Sequence, residues 1–493
     1  MHLFRFLNSS LMKKNLLALL VLFVVTTTLC KAQIFYGMTT NGGTHDSGTI
    51  IRFNAATDKD SVIWNFSGFP SDGSLPHGSL VFDSINGLFY GMTSSGGSNG
   101  KGLGAIISFD PTNNSENLIW SFGNGTDGSI PYGNLVYDKS NGLFYGLTGG
   151  GANVRGAIIS FNPTTNSEKV VWNFGSGTDG AYTLGNLVYD AGTGLFYGTT
   201  DLGGTNDLGT IFSFNPTNNS ENVVWNFGSG TDGAGPEGSL VYDANSGLLY
   251  GMTFSGGTYG AGTIISFNTS TNRDSVLWRF KASKDGTNPD ANLVYGPNNG
   301  LFYAITTFGG STGYGAIVSF NTATSKDSVL WNFGNGTDGY EPYGNLVYDA
   351  GNGLFYGMTS EGGANSGGVI FSFNTVGNSE NVVWSFKSGK DGSGPYGDLV
   401  LYNSASGINQ LAVNNNQVSI YPNPTSGQFT IKSTSNQPGY TIEVYNVVGK
   451  KVYQSVLSNS QTSINLDSQP AGLYFVYVKS DEGVEVGKVM VTK

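Results

Sequence analysis

"NGLFYGMTSSGG" occupies Asn86–Gly97, "NGLFYGLTGGG" follows at Asn141–Gly151, and near-copies run on to Gly363. The tyrosines of this motif are Tyr36, Tyr90, Tyr145, Tyr197, Tyr250, Tyr303 and Tyr356, spaced 54, 55, 52, 53, 53 and 53 residues apart. The seven tryptophans of the chain, Trp64, Trp120, Trp172, Trp225, Trp278, Trp331 and Trp384, keep the same beat. Self-similarity at such a period marks a repeat architecture, in which each unit buries its apolar faces against its neighbours.

Each period reads as four short apolar runs. "GNLVYD" (Gly133–Asp138), the turn "KSNG" and "LFYGLT" (Leu143–Thr148) come first. "GAIISFN" (Gly156–Asn162), the turn "PTTNSE" and "KVVWNFG" (Lys169–Gly175) complete the unit. Runs this short, rich in Val, Ile, Phe, Tyr and Trp and bounded by Gly, Pro, Asn and Asp, are strands. No uninterrupted pattern of helical period and length competes with them. Four strands in roughly 50 residues is the size of a propeller blade.

The ends of the repeat region predict closure. "IFYGMTT" at Ile34–Thr40 starts directly on the second run of a unit, and "GDLVLYN" (Gly397–Asn403) adds one spare first run after the last unit. A first blade made of three N-terminal strands and one C-terminal strand latches a ring and removes a free sheet edge. A solenoid would need dedicated caps. The reading is therefore an all-β chain with a seven-bladed β-propeller over residues 33–403.

Before the repeats, Lys13 and Lys14 precede the apolar run Asn15–Leu29, and "CKA" (Cys30–Ala32) offers a small-x-small cleavage pattern. Residues 1–32 read as a secretory signal peptide, with Gln33 as the new N-terminus and Met12 as an alternative start. The run is short for a membrane span, so none is expected once the signal is removed. Cys30 is the only cysteine; the mature chain then lacks disulfides, thiolate metal sites and a cysteine nucleophile. Four of the 23 basic residues lie in this segment, which leaves 19 against 34 acidic residues, a formal −15. Such acidity argues against nucleic acid and anionic membranes as partners.

Most recurring residues have structural explanations. The Gly-Gly pairs follow a strand rather than opening a helix, so they are turns needing positive φ and not phosphate cradles. Asp127, Asp179, Asp232, Asp338 and Asp391 sit in Asp-Gly turns; calcium is the alternative cofactor, but no D-x-D-x-D run supports it. The Trp row is expected to fill the wedge between blades. More informative are the positions that vary while their neighbours repeat: Tyr132, Tyr343 and Tyr396 in "PYG", with His77, Glu237 and Asp290 in the same place elsewhere. These six are the candidate ligand-contacting loop residues.

Catalytic machinery is sparse. After the signal, His45 and His77 are the only histidines and Arg52, Arg155, Arg273 and Arg279 the only arginines. A multi-histidine metal site and an arginine triad are therefore disfavoured, and no G-x-S-x-G elbow sits at a strand-to-helix turn. No catalytic residue and no cofactor is assigned. Carboxylates paired in space cannot be seen in a sequence, so a polysaccharide-acting hydrolase or lyase with carboxylates on one face stands as the alternative, beside a purely structural surface or biofilm protein. The leading reading is a non-enzymatic extracellular binding or adhesion module for glycans or another surface protein.

After Asn403 the rhythm stops. Residues 404–417 are polar and linker-like. "VSIYPNPTSGQFTI" (Val418–Ile431), "YTIEVYNVVGKKVYQ" (Tyr440–Gln454) and "INLDSQPAGLYFVYVKSDEGVEVGKVMVTK" (Ile464–Lys493) then carry strand alternation, with hairpins at Gly449 and "SDEG". About seven strands in some 75 residues suit a small Ig-like β-sandwich over 418–493.

The repeat order, aromatic strand, Gly-Gly, strand, turn and Trp, is similar to kelch-type propellers. The pattern "LFYGMTS-GG…G.I.SFN…VVWNF…DG..P.G.LVYD" resembles more closely the GloVer tandem repeats of bacterial surface proteins, over Ile34–Asn403; that resemblance implies no particular activity. The tail, through "YPNP" (Tyr421–Pro424), "VYNVVGKKV" (Val444–Val452), "PAGLYFVYV" (Pro470–Val478) and "GKVMVTK" (Gly487–Lys493), resembles the type A C-terminal sorting domain of the type IX secretion system. This implies engagement of that machinery through 418–493 and export to the exterior or outer surface of a Gram-negative cell.

Overall fold

The computed structural model describes residues 33–402, apart from isolated loop positions, and most of 418–492. The expected signal segment 1–32 and linker 404–417 lie outside the described residues. The chain forms two compact units, the first ending at Tyr402 and the second holding Asn403–Lys493.

Among its described residues the first unit contains seven four-stranded antiparallel sheets, called sheets 1 to 7 in chain order. Sheet 3 is representative, with strands Val136–Asp138, Leu143–Thr148, Ala157–Asn162 and Ser167–Asn173. Sheet 1 is the composite one. Ile34–Thr39, Thr49–Asn54 and Lys59–Asn65 are joined by Val400–Tyr402, in the register Ile34↔Tyr402, Phe35↔Leu401 and Tyr36↔Val400. The latch read from the phase of the repeats is present.

The opening motif is the zipper between sheets. Successive side chains of a strand point to opposite faces, so Phe144 packs toward sheet 2 and Tyr145 toward sheet 4. Tyr90 meets Phe144 at 5.0 Å between ring centroids, and Tyr145 meets Phe196 at 5.0 Å. The contact that closes the ring, Tyr356 on Phe35, has the same spacing, 4.8 Å. Seven buried clusters form in this unit, each shared by two adjacent sheets, including one between sheets 7 and 1. The turn asparagine completes the motif: Asn141 Nδ2 donates to Tyr145 Oη at 3.0 Å, and its Oδ1 accepts from the Leu143 amide.

The tryptophans differ from expectation. Each outer strand carries a β-bulge that sets Trp172 opposite Ile158 but Val170 opposite Ile159, leaving Val171 between them. The extra residue turns Val171 and Trp172 to the same face, where both pack on the cluster between sheets 3 and 4. The indoles lie half-buried at the rim of the core instead of filling its centre. The glycine pairs do adopt positive φ, as at Gly203 (+81°) and Gly204 (+74°).

The second unit has a three-stranded sheet (Val418–Tyr421, Gln428–Ser433, Gln461–Asn465) and a four-stranded one (Tyr440–Asn446, Lys451–Leu457, Gly472–Ser480, Gly483–Val491). Phe429, Ile431 and Ile464 from one share a core with Ile442, Val444, Tyr474 and Val476 from the other, the sandwich expected. Both expected hairpins are paired, although Gly449 itself lies outside the described residues.

Candidate functional site: the axial mouth of the propeller

One loop of each sheet follows a five-residue plan leading to its innermost strand: a left-handed residue, usually Pro, a variable residue, Gly or Ala, and a short polar residue. In sheet 3 this is Ile130-Pro131-Tyr132-Gly133-Asn134. The first position is left-handed in all seven, at Leu75, Ile130, Tyr182, Gly235, Asn288, Glu341 and Gly394, with φ between +51° and +58°. A β-branched side chain such as that of Ile130 is strained there. The compensation is visible: the Ile130 amide donates to the Leu103 carbonyl of the preceding sheet, and its carbonyl accepts from the Gly149 amide of its own. Backbone bonds on both sides thus hold the loop over the sheet junction.

The polar residue at the end of the plan forms a closed circle. The backbone amides of Ser79, Asn134, Asn186, Ser239, Asn292, Asn345 and Asp398 each donate to the side-chain oxygen of the next member, and Asp398 returns to Ser79 Oγ. Four of these bonds measure 2.6–2.7 Å. Asp398 also accepts from Asn345 Nδ2 at 2.8 Å, while burial pushes its carboxyl above the ordinary range. The residue before each member must be small, because a Cβ on Gly133 would stand 2.6 Å from the Gly185 carbonyl oxygen. Gly133→Ala is therefore expected to destabilise the protein by about 1–3 kcal/mol in denaturant unfolding.

The variable position of the plan supplies the lining. His77, Tyr132, Leu184, Glu237, Asp290, Tyr343 and Tyr396 surround one axial cavity of about 100 Å³ together with the hydrogen-bonded circle. The structure brings all six candidate residues together. Leu184 and the circle itself escaped the sequence reading; the signal for the circle was the Asn, Ser or Asp that always separates the small residue from Leu. His77 is flanked by Tyr132 and Tyr396, each with ring centroids 5.1 Å away, and Tyr343 stacks on Tyr396 at 4.6 Å. Burial lowers the His77 pKa. Burial together with the Asp290 and Asp201 charges raises Glu237 to about 8, whereas Asp290, buried but bonded to Thr307, stands at about 6.

The Asp-Gly aspartates occupy a different place, on the outer side of the sheet junctions. Asp127 accepts from the Gly123 amide and from Trp120 Nε1. Asp72 and Asp285 take the same role, with Trp64 and Trp278 as donors. Each such aspartate faces an acid from the outer strand of the next sheet, whose pKa burial and this like charge raise: Glu116, Glu168 and Glu221 to about 8, Asp274 to about 7. Among the described residues no group of three or more His, Cys, Asp or Glu that could hold a metal ion is found; Asp127 caps its loop through the Gly123 amide.

Comparisons with known proteins agree with this architecture. The model of the Gloeobacter/Verrucomicrobia repeat matches residues 28–193 and 186–421, and that of the secretion system C-terminal sorting domain matches 419–492. No curated protein matches. Among solved structures, the periplasmic gluconolactonase PpgL of Pseudomonas aeruginosa is similar at 14% identity and TM-score 0.52, covering 76% of this chain and 99% of its own. PorZ, a surface component of the type IX secretion system of Porphyromonas gingivalis, is similar at 14% identity and TM-score 0.42, over 90% of this chain and 63% of its own. At 14% identity the likeness to PpgL is one of fold alone. The chain belongs to the Gloeobacter/Verrucomicrobia repeat family and ends in a type IX sorting domain, which marks it for the outer surface of a Gram-negative cell.

Proposed function

We propose that this is a non-enzymatic binding module displayed at or released from the cell surface, with the axial mouth as its binding site. The observation that carries this reading is the convergence of the six variable loop residues on one cavity while the surrounding frame repeats. The signal at 1–32 would deliver the chain to the periplasm, and the tail at 418–493 engages the secretion machinery. The partner would be a glycan or another surface protein.

A second reading has one specific observation behind it. Glu237 and Asp290 have environments that hold one protonated and the other ionised near neutral pH, the division of labour of a glycan-hydrolysing carboxyl pair. Incubating the protein with a polysaccharide panel while scanning a glycan array separates the two. Retention without turnover is expected; turnover lost in Glu237→Gln would establish the enzyme instead.

The tail makes an independent prediction. A reporter fused to Val418–Lys493 behind a signal peptide is expected on the exterior of a type IX-competent cell. Retention of the reporter in the periplasm would refute the role of the tail.

A further inference from the structure

The axial mouth is chemically lopsided. Tyr343, Tyr396, His77 and Tyr132 follow one another around the ring as an unbroken aromatic arc. The remaining variable positions are Leu184, Glu237 and Asp290, so both acids stand on adjacent sheets across from the arc. Asp290 Oδ2 accepts from Thr307 Oγ1 at 2.9 Å, but its Oδ1 is buried with no hydrogen-bond partner. None of the described residues lining the mouth is lysine or arginine. The carboxyls thus have no resident counter-charge, and one buried oxygen lacks a donor.

We propose that the mouth takes a protonated primary amine at the end of a short alkyl chain, such as a lysine-type side chain presented by a protein or an aminoalkyl group on a glycan. The ammonium supplies the donor that Asp290 Oδ1 lacks, in a charge-assisted bond beside the Glu237 carboxyl. The aromatic faces of Tyr343 and Tyr396 attract the same charge through their quadrupoles and cover the methylenes. A calcium ion would need six to eight oxygen ligands, and the carboxylate side chains lining the mouth are Glu237, Asp290 and the circle's Asp398, which is bonded to Asn345. An anion would meet the Asp290 carboxylate with no lysine or arginine among the lining residues. The inference rests on the axial mouth being the binding site and adds the chemistry of what enters it.

The test is a calorimetric and NMR titration of the full chain with butylammonium chloride, beside neutral butanol, potassium chloride and calcium chloride. Butylammonium is expected to saturate one site with a dissociation constant on the order of millimolar, and butanol to bind about tenfold or more weakly. The variant Glu237→Gln/Asp290→Asn keeps shape and is expected to weaken butylammonium about tenfold while folding normally. Tyr396→Leu gives a second, charge-neutral check and should weaken it severalfold. Equal binding of butanol and butylammonium, no saturation, or calcium displacing butylammonium would overturn the inference. The binding-site reading fails separately: if retention on a glycan array or cell surface is unchanged in the double variant, the mouth is not the site. If retention is lost but butylammonium does not compete, only the amine chemistry is wrong.

Discussion

Replacing Leu399, Leu401 and Tyr402 together by serine is expected to lower the melting temperature by about 10 °C or more, although only Leu401 and Tyr402 lie in the three-residue strand Val400–Tyr402 and Leu399 just precedes it. Leu399 is 1% exposed and packs in the cluster between sheets 7 and 1. Tyr402 meets Tyr36 at 5.4 Å, Phe82 at 5.1 Å and Phe89 at 5.5 Å, in the cluster between sheets 1 and 2. Burying three such side chains is worth about 1.5–3 kcal/mol each, so roughly 8 kcal/mol is at stake once the strand's pairing is included. A propeller of this size unfolds with an entropy of about 0.8 kcal/mol/K, which converts that loss to about 10 °C. The same variant should accelerate hydrogen exchange at Ile34–Thr39, whose strand becomes an edge. An unchanged melting curve with unchanged exchange would mean that the ring does not depend on its latch.

The second large effect is a loss of stability in alkali. Glu116, Glu168, Glu221, Glu380 and Asp60 are raised to about 8, Asp274 to about 7 and Asp327 to about 6, mainly by burial and then by the facing aspartate. A carboxyl whose folded pKa lies above its unfolded value of about 4 binds a proton more tightly when folded. Its contribution is complete below pH 4, falls through the interval up to the folded value, and is gone above it. Ion pairs do not oppose this trend, since among the described residues the one salt bridge is Lys451–Glu443, in the second unit. The melting temperature is expected to fall by about 5–10 °C between pH 5 and pH 9. Glu168→Gln and Glu221→Gln should each restore about 1 kcal/mol at pH 8 and change nothing at pH 4. A profile that is flat, or that rises with pH, would show that these acids are ionised in the folded protein.

Much of this fold was legible because the chain repeats itself with a phase offset. The period delimited the sheets, and the spare first run at Gly397–Asn403 placed the closure. The bulge was not legible, since "VVW" reads as ordinary alternation and the extra residue shows only in the pairing with Ile158 and Ile159. The acid pairs were hidden for a related reason: Glu168 and Asp127 come from neighbouring sheets, and each looks like a harmless turn or surface residue on its own. Of the seven mouth positions, six stood out as polar or aromatic residues in a slot that otherwise repeats. Leu184 did not, because Thr183 replaces the usual proline and the leucine blends into the following strand. The aromatic arc becomes readable only once closure makes Tyr396 the neighbour of His77.

The hydrogen-bonded circle has a consequence for the order of events in the life of the chain. Its last bond joins Asp398 to Ser79, 319 residues apart, and Ile34 finds its inner neighbour only in Tyr402. Sheets 2 to 7 are made of consecutive strands and can assemble as they emerge, but sheet 1 cannot. Contacts of such long sequence separation form late and slowly. Until residue 402 is available the nascent propeller is an open arc whose first strand is paired with Thr49–Asn54 on one side and has a free inner edge. Wherever the chain emerges N-terminus first, the ring therefore stays unlocked until residue 402 is out, and the fold acquires its final stability only then.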